Sequence, residues 1–342
     1  MSYLKKLEFA NFTCKFGEHL KLLDLYKEVV HPSFIEGNFL RSLRGTDYFF
    51  IDTQLVKVRN YKSGAEDLVL AGRLVKNTKL KREQIFRQGQ GIIEDKDELE
   101  SAPTSFFVLT LNNHRLLYMR EVAGAPDVKT FQATCQKFLR DRHRVFIDKK
   151  YEDNELDRKV NQDVEKITKK KLVQEFPYPE LRITTLTDPT SLRSFVSQFN
   201  KIEELSIRLL PTNNEDINND GFWSNLGDSK NRMGSKYVTT KFGNKKDGLD
   251  QDEVYRQSNS ASELANSAIN MKGLDHSGGA LKGNNEDFQL AVGIDEISRN
   301  LSPATAQLYV EFINQIQAGN ISVPEDSPGT RQKISVIEDY LL

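Results

Sequence analysis

The chain has 342 residues, 38% of them hydrophobic with Phe 20 and Tyr 11, which supports folded cores and excludes a disordered protein. Lys and Arg number 48 against 49 Asp and Glu, a net charge of -1, so contact with a polyanion must come from a local patch. Cys14 and Cys135 lie far apart in sequence, which argues for a reducing compartment and against a disulfide framework or a cysteine zinc site. The start, Met1-Ser-Tyr-Leu-Lys-Lys, lacks the apolar core of a signal peptide. No apolar run reaches the roughly 18 residues of a membrane span, so a cytoplasmic protein without a membrane partner is expected.

Residues 1–150 read as an α+β domain. Leu7–Phe16 alternates apolar and polar and predicts a strand. Leu20, Leu23, Leu25 and Val29 fall at roughly helical spacing up to His31-Pro32, where the pre-proline residue avoids the α region and should end the helix. Tyr48–Asp52, Gln54–Val58 and Leu68–Val75 follow as strand material. Ser105–Leu111 and Arg115–Val122 form the clearest hairpin, turned by Asn112-Asn113-His114 because Asn tolerates positive φ. Pro126-Asp127 opens a helix over 127–145 with Val128, Phe131, Cys135, Phe138 and Leu139 on one face, which makes Cys135 a packing residue. Arg140, Arg142, His143 and Arg144 cluster at its expected end, where cations favour the helix dipole.

Residues 151–175 predict a charged helical connector. Leu156, Val160, Val164 and Ile167 make a narrow apolar stripe, and Glu155/Lys159 and Glu165/Lys169 are i,i+4 pairs in the favourable order. A second α+β domain is expected over 176–322, with long polar loops. Leu181–Leu186 alternates like a strand. Asp188 caps and Pro189 opens a helix burying Leu192, Phe195, Val196 and Phe199, and Glu204–Leu210 alternates again. The Asn, Ser, Gly and Asp content of 211–290 predicts loops around one helix near 252–272, carrying Ala261, Leu264, Ala265, Ala268 and Ile269. Phe288–Ile294 reads as a strand. A last helix starts at Ser302-Pro303, carries Leu308, Phe312, Ile313 and Ile316, and stops at Gly319, a good C′ residue. Residues 323–342 read as a loosely held tail. The fold class is α+β: mixed or antiparallel sheets with packed helices, in two domains joined by a charged helix.

Lys230–Lys246 carries six cations, no carboxylate and two aromatic rings. Lys230, Arg232, Lys236, Lys241, Lys245 and Lys246 suit phosphates, and Tyr237 and Phe242 suit bases or sugars. The competing reading is a solvated basic loop balanced by Asp247, Asp250, Asp252 and Glu253. Asp216–Gly221 imitates the opening of a calcium loop, but Gly227 stands where the bidentate Glu belongs, so an Asn/Asp-rich turn is the better reading. The five histidines are scattered. His276–Gly283 is glycine-rich without the ending a P-loop requires. Asp295/Glu296 and Asp250/Asp252 are the carboxylate pairs a metal nuclease would draw on. No catalytic residue, cofactor or metal is assigned, and an enzyme is the less favoured reading.

The Ser105–Val122 hairpin, the Pro126-Asp127 helix and the 181–210 strand-helix-strand together resemble the Rex-type phage-exclusion proteins and the prokaryotic family with the domain-of-unknown-function label DUF4747. The resemblance is one of architecture, over roughly residues 5 to 300. It implies a cytoplasmic, dimeric defence protein that binds DNA or senses a phage component. The expected function is DNA binding through the local basic patch in a phage-defence, abortive-infection system, without chemistry of its own. One alternative is a sensor or scaffold that recruits a toxin or phage protein through the 152–171 or 302–318 helix. The other is a metal-dependent nuclease.

Overall fold

The structure is a computed structural model and describes residues 4–36, 39–61, 64–161, 163–210, 221–262, 266–323 and 327–341. The chain opens with β1 (Lys5–Phe16) and β2 (Leu20–Lys21), then helical turns over 22–30 that lead into α1 (His31–Ile35). β3 (Arg41–Leu43), β4 (Thr46–Arg59), β5 (Glu66–Arg87), β6 (Gly91–Ser101), β7 (Thr104–Thr110) and β8 (Arg115–Arg120) follow in succession. Next come α2 (Val128–Val160), α3 (Lys169–Glu175), β9 (Pro179–Thr185), α4 (Pro189–Val196) and β10 (Phe199–Leu209). α5 (Gly221–Arg232), β11 (Val238–Gly243), α6 (Gln251–Ser262), β12 (Ser267–Asp275) and β13 (Ala280–Asn284) continue the chain. β14 (Ala291–Ile294), α7 (Leu301–Gln317) and α8 (Pro328–Leu341) complete an α+β fold with two antiparallel sheets.

The large sheet runs β14-β1-β8-β7-β5-β4-β3, with β2 and β9 also on β1 and β6 on β5. Both of its faces are covered. β7 sends Phe107 and Leu109 into one core and Phe106 and Val108 into the other. The first core is closed by Phe131, Cys135, Phe138 and Leu139 of α2, and Phe107 stands 5.0 Å from the Phe131 ring. The second is closed by Ala304, Leu308, Phe312 and Ile313 of α7. A strand sandwiched this way loses its alternation, which is why Ser105–Leu111 reads as a nearly continuous apolar run. The apolar face of α7, a docking face in the scaffold reading, is therefore already occupied.

Several local expectations change. Pro32 does not end the helical segment: it sits in the first turn of α1, where a missing N–H leaves no bond unmade. In the β7–β8 turn the positive φ belongs to His114 (54°), while Asn113 Oδ1 accepts from the Arg115 N–H at 3.2 Å and from the Thr110 hydroxyl. Asp127 caps α2 by accepting from the Thr130 N–H at 2.8 Å, and the helix then runs unbroken through 150 to 160. The expected domain boundary thus falls inside one helix. Glu155 pairs with Arg158 at 3.1 Å and Lys169 with Asp148 at 2.5 Å, in place of the i,i+4 partners expected from spacing. The tail is held: α8 places Ile337 in the first core and pairs Lys333 with Asp24 at 2.5 Å.

β9 and β14 lie end to end along one edge of β1, through Phe12↔Ile183 and Leu7↔Val292. Between them Asp188 N–H donates to Phe288 O at 2.9 Å and Leu290 N–H to Leu186 O at 2.7 Å. Residues 189–287 are therefore an insertion that leaves and re-enters the large sheet through one paired stem. The inserted unit holds the small sheet, ordered β11-β10-β12-β13. Asp188 caps α4 through the Thr190 and Ser191 N–H groups, as its sequence predicts, but Phe199 belongs to β10. Ala268 and Ile269 lie in β12 instead of a helix, and the basic run forms the end of α5 and β11 instead of a loop.

Candidate nucleic-acid interface

Strand alternation fixes what the small sheet exposes. In β10, Ile202, Leu205, Ile207 and Leu209 are buried, with Phe195, Trp223, Val254 and Ala261 from α4, α5 and α6 packed around them. Ile269 and Met271 continue that buried face in β12. The intervening residues form the other face, against which no helix packs among the described residues, α2 facing only its Ala268–Asn284 end across a cleft. Register aligns Ser206 with Lys241 and Asn270, and Arg208 with Thr239 and Ala268. It also aligns Glu204 with Lys272, and Lys272 and Asn270 with Lys282 and Asn284.

The open face thus carries Arg208, Lys241, Lys272 and Lys282 around Glu204, on a floor of Thr, Ser and Asn, with Glu203 beside it in a bulge and paired with Lys201 at 3.1 Å. Glu204 accepts from Lys241 at 2.8 Å and from Lys272 at 3.3 Å. The Lys241 hydrogen bond is the main reason its carboxyl is held below its ordinary value. Both lysines stay more than half exposed, and exposed pairs of this kind contribute only about 0–1 kcal/mol, so a phosphate can compete for them. At the β11 end of the face the Arg208 guanidinium lies 3.8 Å from the centre of the Tyr237 ring. Flat aryl and guanidinium groups are the kind of surface on which an unpaired base stacks.

The predicted run is divided by this geometry. Lys241 and Tyr237 reach the open face, and Lys236, beside them, pairs with Glu180 of β9 at 2.6 Å. Phe242 alternates to the other face, where with Leu205, Leu249 and Val254 it lines an apolar groove of about 260 Å³. Lys230 and Arg232 sit at the end of α5, Arg232 donating to the Ser229 hydroxyl at 3.3 Å. Lys245 and Lys246 lie past β11, and the Lys245 carbonyl accepts from Lys201 at 3.0 Å. Arg208, Lys272 and Lys282 were missed because they come from three separate strands. Their only sequence signal is the polar member of each alternating pair.

A cleft of about 510 Å³ opens where Ala268 and Asn284 face Ile183 and Thr184 of β9 and Gln132 of α2. Its charges nearly cancel. Arg120 lies 3.7 Å from Glu8, and Lys129 lies 2.6 Å from Glu286. Burial raises the Glu8 carboxyl above its ordinary value, Arg120 offsetting this in part. Burial also works against the Asp127 charge, but hydrogen bonds from Thr130, with Arg120 nearby, outweigh it and hold that carboxyl low. Three carboxylates against two cations do not make an anion pocket, so the open sheet face is the stronger site for a polyanion.

Other candidates resolve structurally. Arg142 lies mid-helix, holding the Glu28 carbonyl at 3.1 Å and Glu36 at 3.0 Å, and His143 is buried with its Nε2 2.8 Å from the Phe176 carbonyl. The dipole reading of that cluster therefore lapses. Asp250 caps α6 through the Glu253 N–H at 2.8 Å. The residues from Asp216 to Asp220 lie outside the described residues. Burial pushes the Cys14 thiol up to about 12, and Cys135 is buried as predicted. Among the described residues no helix is long and apolar enough to cross a membrane, and no group of three or more His, Cys, Asp or Glu is placed to hold a metal.

Residues 128–297 match the family model described as Domain of unknown function (DUF4747). The match takes in α2, the paired stem and the whole inserted small-sheet unit. No curated protein matches the chain.

Proposed function

We propose that this protein binds single-stranded nucleic acid across the open face of the small sheet, without chemistry of its own, and acts in the cytoplasm in phage defence. One observation carries the binding reading. A four-stranded sheet covered on one face presents on the other a polar floor, the cations Arg208, Lys241, Lys272 and Lys282 beside Glu203 and Glu204, and the Arg208 guanidinium over the Tyr237 ring. Cations at strand spacing follow a phosphate backbone, and an aryl–guanidinium platform offers a stacking surface to a base that is not already in a duplex. This replaces the contiguous 230–246 patch with a surface drawn from β10, β11, β12 and β13. The defence role comes from the family resemblance alone, and the sheet face supports only the binding.

The test is titration of labelled single-stranded DNA, single-stranded RNA and duplex DNA, each with and without Mg²⁺. Tighter retention of a single strand than of the duplex, with the oligonucleotide recovered intact, is the expected result. Retention of no nucleic acid at low salt would overturn the proposal, and cleavage dependent on metal would put the nuclease reading in its place.

A further inference from the structure

Beyond Asn77, β5 leaves the large sheet. Residues 78–101 pair only with each other among the described residues, forming a two-stranded arm from Thr78↔Ser101 out to Arg87↔Gly91. A two-stranded ribbon is marginally stable in water unless a further layer covers it. Its two faces differ. One carries the ion pairs Lys79–Glu98 (3.4 Å) and Lys81–Glu98 (3.2 Å), with half-buried Ile85 and Ile93 towards the tip. The other exposes Leu80 (54%), Leu99 (65%), Phe86 (75%) and Ile92 (70%), interrupted midway by Arg82, bonded to Asp97 and Asp95 at 3.1 Å each, and by Gln84 beside Glu94.

We propose that this arm is a self-association element, and that its apolar face is covered by the same face of a second copy of this chain. The pattern of the face selects the partner. A two-fold axis along the arm stacks β5 of one copy on β6 of the other, tip with tip. It then sets Leu80 against Leu99, Phe86 against Ile92, and Arg82 against Asp97, each pair occurring twice. A two-fold axis across the arm would instead stack β5 on β5 and bring Arg82 towards Arg82 and Asp97 towards Asp97. Like charges facing each other are unfavourable, so the charges choose the first arrangement. The apolar residues match in both, and the charged rows discriminate: the first sets Glu94 against Gln84, the second Glu94 against Asp97.

Size sets the strength. Ten residues at about 3.3 Å rise give an arm about 33 Å long. Two strands about 10 Å across then present roughly 330 Å² per copy, about 660 Å² in all, under the roughly 1,200 Å² total of a stable interface. The association is therefore weak, reversible and concentration-dependent.

Sedimentation velocity on nucleic-acid-free protein, from about 1 to about 200 µM, covers a span of about 3 kcal/mol in association free energy. The wild-type chain should pass from monomer to dimer over that range. Phe86→Asp/Ile92→Asp should stay monomeric with an unchanged circular dichroism spectrum, since both side chains are mostly exposed. Arg82→Asp alone and Asp97→Arg alone should each dimerise at least about tenfold more weakly. An equimolar mixture of those two variants should recover the dimer, because each then faces its opposite charge. A wild-type chain monomeric at the highest concentration, a dimer indifferent to Phe86→Asp/Ile92→Asp, or a mixture that does not recover would overturn the proposal.

Discussion

In the large sheet β7 buries Phe106 on one side and Phe107 on the other, whereas in the small sheet β10 buries Leu205 and Ile207 and leaves Ser206 and Arg208 open. The difference is one of coverage. A strand between two helical layers must be apolar at every position, and its residues are committed to packing. A strand covered on one side needs only every second residue for stability. The other positions are free to take charges, amides and hydroxyls that packing never required. The large sheet is thus the scaffold, and the open face of the inserted unit is where side chains are left free to meet a ligand.

The sharpest break of that comparison is a cavity in the scaffold. Phe107→Ala removes a ring that touches Phe34, Phe50 and Phe131, and should lower unfolding stability by about 3–5 kcal/mol in a denaturant titration. The next contrast lies between two adjacent residues of β13. A Cβ added at Gly283 would meet the Phe195 ring at 2.1 Å, so Gly283→Ala should destabilise by about 1–3 kcal/mol. Lys282→Glu, one residue earlier and on the open face, should leave stability within about 0.5 kcal/mol while weakening nucleic-acid binding. A third substitution separates stacking from charge. Tyr237→Ala should weaken single-strand binding by about 1–3 kcal/mol with little change in its salt dependence.

The smallest expected effect belongs to Glu8. Its carboxyl is raised in the folded state by burial, so folding favours the protonated form. Stability therefore falls as pH rises from its ordinary value of 4.5 through the raised folded value. Glu8→Gln, which resembles the protonated group, should raise the melting temperature at neutral pH and give no gain at pH values below that window. An equal gain at every pH would point to packing instead of titration.

Legibility in the sequence followed coverage as well. The β7–β8 hairpin, the capped α4 and the Gly319 stop of α7 could be read locally, because a turn, a cap and a C′ glycine act over a few residues. The helix from Asp127 was found, but its length was not. Polar residues such as Asn154, which bonds the Glu165 carbonyl at 3.1 Å and is buried, carry no apolar signal. α8 was missed for a related reason, since Ile337 is held by a core assembled from the other end of the chain. The candidate site was visible only in part. A run of cations in one dimension suggested one patch, but β11 sends Lys241 and Phe242 to opposite faces, and register brings in Arg208, Lys272 and Lys282 from elsewhere.

The most direct test is fluorescence anisotropy of a labelled single strand between about 50 and about 200 mM salt, comparing the wild-type chain with Lys272→Glu/Lys282→Glu. Four phosphate contacts give an expected slope of log K against log salt of about -3, or roughly a 50-fold loss of affinity over that range. The double variant should bind more weakly at low salt, with the slope reduced to about -1.5 or less. Affinity and slope unchanged in that variant would contradict binding at the open face of the small sheet.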